Sequence, residues 1–266
     1  MTALRPVTVI TGASAGIGAA LARVFARHGH ELALVARRED RLRALADEIA
    51  ATGATKPLVI VADLQLEGAA AAIGKELEVL GAEPQYIVNN AGFGLVGAAT
   101  KLDRAEQLAM IDLNVRALTD LSLAFVDSLA RHKGGLLNVA SIAGFLPGPG
   151  MTVYYATKAY VLSFSEALHS ELRRQGVRVT ALCPGPVATE FAARAGIGEG
   201  LAPGILTRSA EDVAEQGYRG LMQGRRVVVP GLPNKLVSIL ARLVPRRILL
   251  AAVDARQSRR RSAPKA

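Results

Sequence analysis

The 266-residue chain has a single cysteine, Cys183, which excludes an internal disulfide framework and fits a reducing, cytoplasmic setting. Preceding Pro184-Gly185, Cys183 reads either as a small buried hydrophobe or as a residue bordering a ligand. The four histidines, His28, His30, His132 and His169, have no metal-ligand spacing, so no metal site is expected. His28 and His30 fall at the end of the first helical stretch and in the following turn, where they read as surface capping residues. No apolar run is long and uncharged enough to span a bilayer; near the end of the chain Arg242, Pro245, Arg246 and Arg247 interrupt the best one. Thr2 leads directly into the first strand, so no signal peptide is expected. Internal repeats and interdomain linkers are missing too, and the alanine-rich stretches ADEIAATGA and EGAAAAIGKEL read as helix formers.

What the chain does contain is an alternation of strand-like and helix-like segments. Strands are expected near 7–10, 31–36, 57–62, 85–89, 135–141, 177–183 and 226–229. Helices are expected near 17–28, 39–51, 66–80, 102–131, 152–175 and 210–222. Such an order predicts an α/β fold, a parallel sheet of about seven strands with helices on both faces. At 50% hydrophobic content the chain can bury one large core, so a single doubly wound domain over 1–232 is expected, with an extension over 233–266.

The first strand, VTVI, runs into TGASAGIG and then an alanine- and leucine-rich helix. Gly12, Gly16 and Gly18 permit positive φ and close approach of backbone to a ligand. The helix amino terminus that follows offers unpaired N–H groups and a positive dipole end, which suits a pyrophosphate. Nucleotide binding is therefore expected at the carboxyl ends of the strands, where ligands of open α/β sheets lie. The second strand ends at Ala36, where a carboxylate would be needed for an unphosphorylated ribose; Arg37 and Arg38 follow instead. Guanidinium groups bind phosphate with charge-assisted, often bidentate bonds, so NADP(H) is the expected cofactor.

A second constellation, Ser141, Tyr154 and Lys158, has the spacing 13 then 4. Tyr154 and Lys158 share one face of a predicted helix, because four residues turn just past one revolution. An ammonium beside a phenol favours the phenolate and would lower its pKa from ~10 toward neutrality, giving a proton donor and acceptor near physiological pH. Ser141, at the end of an apolar strand, carries a hydroxyl that can hold a substrate oxygen against that phenol. Tyr155 is adjacent, but only Tyr154 stands four residues before Lys158, and Tyr155 would point about 100° away on a helix.

TGASAGIG, ADL at 62–64, NNAG at 89–92, the asparagine of DLNV, the serine of NVASIAG, YYATK and PGPVAT occur in order over roughly residues 5–230. In these motifs the chain resembles the short-chain dehydrogenases/reductases. The resemblance implies a single Rossmann-type domain and hydride transfer between a nicotinamide and a carbonyl or alcohol. It also implies a homodimer or homotetramer. By resemblance, Ser14 and Ile17 complete the glycine turn, Asp63 and Leu64 border the adenine, and Asn90, Ala91 and Gly92 pack against its ribose. Pro184, Gly185, Val187 and Thr189 would line the nicotinamide side, Lys158 would also bond the nicotinamide ribose, and Asn114 would hold a water in contact with Lys158. In the family a basic residue often precedes the second glycine of NADP enzymes; here Ala15 stands there.

The segment EFAARAGIGEGLAPGILTRS, near 190–210, is expected to form a substrate lid ending at the capping pattern Ser209-Ala210-Glu211-Asp212. Phe93, Phe145, Leu146 and Met151 suggest apolar walls and hence a lipophilic ketone or aldehyde. A dehydratase or isomerase on the same pocket, or a non-catalytic NADP-binding protein, is the alternative. Leu162, Phe164, Leu168 and Leu172 are expected to be surplus to one sheet face and so to favour self-association. Residues 225–266 hold eleven Lys and Arg against one acid, Asp254, a net of +10, which leaves residues 1–224 at −1. Leu236, Ile239, Leu240 and Leu243 fall on one helical stripe there, which Pro245 should end. The extension reads either as a helix covering the body followed by a disordered, solvated tail, or as an interfacial helix docking peripherally on anionic lipid. No nucleic-acid recognition motif accompanies it.

Overall fold

Seven short, largely apolar runs become seven parallel strands: β1 (Arg5–Thr11), β2 (Leu32–Ala36), β3 (Leu58–Val61), β4 (Ala82–Asn89), β5 (Gly135–Val139), β6 (Arg178–Leu182) and β7 (Val227–Val228). In this computed structural model residues 4–195 and 204–261 are described. The strand order is β3-β2-β1-β4-β5-β6-β7. The chain builds outward from β1 in one direction through β3, then returns to pair β4 against the other side of β1. That reversal opens a crevice at the carboxyl ends of β1 and β4.

The helices are α1 (Gly16–Arg27), α2 (Glu39–Ala51), α3 (Ala69–Val79), α4 (Arg104–Ile111), α5 (Leu118–Ala124), α6 (Val126–Arg131), α7 (Thr152–Leu172), α8 (Glu190–Ala195), α9 (Ala210–Met222), α10 (Leu232–Leu243) and α11 (Arg246–Arg261). On one face of the sheet Leu21 and Phe25 of α1, Leu42 of α2 and Val213 and Leu221 of α9 close over β1, β2, β5 and β6. On the other, Ile73 and Leu77 of α3, Leu121 of α5 and Leu168 and Leu172 of α7 do the same. Each such side chain removed from water contributes ~1.5–3 kcal/mol, and two such layers hold the central strands rigid.

The expected helix over 102–131 is three helices joined by irregular turns. Asp112–Ala117 widens into a π-helical turn, and a break at Phe125 (φ −116°, ψ 13°) separates α5 from α6. Phe125 packs at Gly74 of α3, where an added Cβ would come within 3.1 Å of its ring. No proline or glycine marks either interruption in the sequence. His30, expected at the surface, is instead half-buried among Phe25, Tyr86 and Tyr218, with its ring nitrogens 3.3 Å from Thr8 Oγ1 and 3.2 Å from the Tyr218 hydroxyl. His28 stays exposed and stacks on Tyr218. Ser209 caps α9 by accepting from the Asp212 N–H at 3.0 Å, as the capping pattern predicts. The lid segment's residues 196–203 lie outside the described residues; its first part forms α8. Pro245 separates α10 from α11, so the stretch from Arg246 to Arg261, expected as a disordered tail in one of the two readings, is helical.

Candidate active site

Every loop that follows a central strand delivers residues to one rim of the sheet. Ser141 stands two residues beyond β5, in extended backbone, opening a tight 3-10 turn over Ile142–Phe145. Its Oγ accepts from the Ala143 N–H at 3.1 Å and donates to the Pro184 carbonyl at 3.4 Å. The Ile142 N–H bonds the same carbonyl at 2.9 Å, so the loops after β5 and β6 are tied together. At Gly144 an added Cβ would lie 2.6 Å from the Lys158 carbonyl oxygen. That close approach presses the Ser141 turn against α7 and sets the distance between serine and tyrosine.

Tyr154 and Lys158 lie one turn apart on α7, and the Ser141 hydroxyl is near enough to the Tyr154 phenol to favour its ionised form. The tyrosine is only partly covered. Lys158 is buried, donates to the carbonyl of Val139 at 2.7 Å, and holds its Nζ 5.9 Å from the Tyr154 ring centroid. Burial lowers the Lys158 ammonium to about 8, opposed by the nearby Cys183. Burial also raises the Tyr154 phenol above its ordinary value, opposed by the Ser141 hydroxyl. Burial thus acts against the lowering that the spacing predicts, and the Lys158 hydrogen bond is spent on backbone. Tyr155 packs against Gly148 and edge-on to Tyr154.

Asn114 sits in the π-helical turn, fully buried. Its Oδ1 accepts from the Phe93 N–H at 3.1 Å, and its Nδ2 donates to the Phe93 carbonyl at 2.9 Å and to Thr157 Oγ1 at 3.1 Å. Both amide protons are thus committed and one Oδ1 lone pair is left. Thr157 in turn donates to the Tyr154 carbonyl at 2.7 Å, so Asn114 clamps the loop after β4 to the turn of α7 that carries the tyrosine. Gly92 lies between: a Cβ there would be 2.8 Å from Asn114 Oδ1 and 3.7 Å from Lys158 Nζ.

In the glycine turn, Gly12 has φ +64° and Gly16 φ +55°, conformations that other residues rarely adopt. A Cβ at Gly18 would stand 2.3 Å from the Gly12 carbonyl oxygen, so the turn cannot close on α1 with a larger residue there. Asn90 Nδ2 bonds the carbonyls of Thr11 and Gly12 at 2.9 and 3.3 Å, which carries the β4 loop onto the turn. Thr189 lies against Gly16, Ile17 and Val187 pack on the core beside the turn, and Gly185 faces Asn234 of α10.

A family model described as short chain dehydrogenase matches residues 6–200. The chain belongs to this family. Among its relatives, sulfoacetaldehyde reductase 2 of Chromohalobacter salexigens is 37% identical over 79% of this chain and 85% of its own length. Of solved structures, a short-chain dehydrogenase from Sphingobium yanoikuyae in complex with NADPH matches with a TM-score of 0.78 at 32% identity, covering 98% of this chain and 97% of that one. The bulky-bulky ketone specific alcohol dehydrogenase from Comamonas testosteroni matches with a TM-score of 0.74 at 30% identity, covering 100% and 97%.

In this dehydrogenase the two arginines after β2 are placed differently from one another. Arg38 reaches back to the glycine turn, its Nε and Nη2 donating to Ser14 Oγ at 3.3 and 3.1 Å, while Nη1 pairs with Glu190 at 2.9 Å. Arg37 points to the end of β3, 3.8 Å from the Asp63 carboxylate. Asp63 also accepts from the Gln65 N–H at 3.0 Å, and Leu64 is buried beneath. Three residues at this rim were not picked out from the sequence. Arg41, one turn into α2, bonds the other oxygen of Glu190; the two arginines hold that carboxyl below the usual range. Thr11 accepts from the N–H groups of Asn90 and Ala91 at 3.0 and 3.1 Å and donates to the Val88 carbonyl at 3.2 Å. Its signal was available, a polar residue closing an otherwise apolar strand. Glu190 carried none, since its partners lie about 150 residues away.

Proposed function

We propose that this dehydrogenase is an NADP(H)-dependent oxidoreductase working between a carbonyl and the corresponding alcohol through Ser141, Tyr154, Lys158 and Asn114. The observation that carries the proposal is the convergence of the Ser141 hydroxyl, the Tyr154 phenol and the buried Lys158 ammonium at the carboxyl end of β5. The cofactor fits the rim: a glycine turn that a Cβ at Gly12 or Gly18 would obstruct, with two arginines beside it. When bound, the nicotinamide supplies or takes up the hydride. Ser141 and Tyr154 together hold the substrate oxygen, and the Tyr154 O–H gives it a proton as negative charge develops. The Lys158 ammonium stabilises the phenolate left behind. Asn114 acts as a positioning residue for the tyrosine turn, with a single lone pair left to hold a water.

The carbonyl substrate is proposed to be lipophilic. Met151 and Phe93 are buried near the site, Phe191 of α8 packs 5.4 Å from the Tyr154 ring, and Phe145 closes the Ser141 turn. Loss of NADPH absorbance against a panel of ketones and aldehydes, small and bulky, tests this; no NADPH consumption with any carbonyl would remove the proposal.

For the 2′-phosphate, Arg38 is the stronger candidate than Arg37, because it lies on Ser14 of the glycine turn. Glu190 competes for the same guanidinium. Arg38→Ala is expected to weaken NADPH binding by about 10–100-fold and leave NADH unchanged, the loss of charge-assisted bonds to a phosphate. Glu190→Gln is expected to tighten NADPH severalfold. Isothermal titration with both cofactors checks this, and equal wild-type affinities would refute the assignment.

Self-association is also proposed, but on other residues than those expected. Leu162, Leu168 and Leu172 are buried in the chain's own core, and Phe164 packs against it. Exposed instead are Leu108, Ile111 and Leu123 on α4 and α5 and Tyr160 on α7, and Tyr160 lines a hollow of about 980 Å³ together with Val115 and Phe125. Sedimentation velocity should show a dimer or larger at micromolar concentration, dissociated by Leu123→Glu. Among the described residues no helix is long and apolar enough to cross a membrane; a cytoplasmic location is part of the same proposal.

A further inference from the structure

Helix α10 is amphipathic with its polar side inward. Asn234 and Ser238 are 0% and 6% exposed, whereas Leu232, Leu236, Ile239, Leu240 and Leu243 are 80%, 56%, 46%, 46% and 74% exposed. Their spacing places these five on one arc of about 100°. Lys235 and Arg242 stand beside that arc, and Arg246 and Arg247 follow it, exposed, with Ile248 and Leu250 of α11 also open to solvent. A helix belonging only to its own chain would bury the leucines.

The inversion is fixed, not a loose end. Asn234 Nδ2 donates to the Leu206 and Pro230 carbonyls at 3.0 and 2.9 Å, and its amide fills the space left by Gly185. Arg242 lies over the Phe145 ring at 5.2 Å and 3.8 Å from Glu166. The body therefore holds α10 by polar contacts and presents its apolar face outward, next to the loop that carries Ser141.

We propose that α10 and the start of α11 form a preformed docking surface for an anionic lipid bilayer. Charge selects that occupant. Residues 225–266 carry +10 and the remainder of the chain −1. A second copy meeting this surface about a two-fold axis would bring two such charges together, and the rest of the chain, at a net −1, does not balance them. An anionic headgroup layer supplies the countercharge, with apolar material just beneath for the leucine arc. The proposal is independent of the catalytic one.

The test is co-sedimentation of the intact protein with vesicles of phosphatidylcholine alone and with vesicles containing about one third phosphatidylserine. Binding is expected only to the anionic vesicles and should weaken as salt is raised. Arg246→Gln with Arg247→Gln should weaken it about thirtyfold, at ~1 kcal/mol for each arginine at the surface. Leu236→Gln with Leu243→Gln should weaken it about tenfold or more, and since both leucines are exposed the thermal midpoint should hold. No binding, or equal binding of wild type and both variants, overturns the proposal. So does a wild type that ignores vesicles but whose oligomer dissociates on the leucine replacements, which would assign the face to a second copy.

Discussion

Tyr154→Phe is expected to lower turnover by about 10²–10⁴-fold, the usual contribution of a positioned general acid. NADPH affinity should stay within about twofold, since only a hydroxyl is removed and Lys158 keeps its bond to Val139. Tyr155→Phe is the control: its ring is seated on Gly148 and is kept in the variant, so turnover should change by a few fold at most. Single-turnover kinetics with saturating NADPH separates chemistry from binding. An inactive Tyr155→Phe beside an active Tyr154→Phe would overturn the assignment of the whole site.

Lys158→Met is expected to abolish turnover to a similar extent while stabilising the fold at neutral pH. Burial lowers the Lys158 ammonium from 10.5 to about 8. The unfolded chain therefore binds this proton more tightly than the native one, and stability rises with pH between those values. Below about pH 8 both states are protonated and the full cost of burying the charge is present, ~3 kcal/mol at 1.36 kcal/mol per pH unit. Replacing lysine by methionine removes that cost but leaves the Val139 carbonyl without its donor, worth ~1 kcal/mol. The net gain at pH 7 is about 2 kcal/mol, and it should shrink through the interval from pH 8 to 10.5 and then reverse. Burial raises the pKa of Tyr154 and of Cys183, and loss of the Lys158 ammonium would only raise Cys183 further, so both stay protonated in the native state across this interval and cancel in the difference. Urea unfolding at pH 7 and near pH 10 measures this. Equal stability at pH 7 would mean that the buried amine is accommodated without strain.

The sequence by itself determined the strand and helix alternation, the glycine turn, and which tyrosine faces Ser141. These rest on short-range regularities: short apolar runs for strands, an apolar period for helices, a fixed angle per residue between Tyr154 and Lys158. Tertiary structure alone decided the rest. The break at Phe125 depends on Gly74 in another helix, and Asn114 acquires its role from Phe93 and Thr157, which are 21 and 43 residues away. Burial pushes the Tyr154 phenol up, where spacing alone pointed to the neighbouring ammonium pulling it down. Leu236 and Leu168 look alike as apolar residues on helices, yet one is exposed and the other is core. Periodicity says that a helix has an apolar stripe; only the partners on each side say which way that stripe faces.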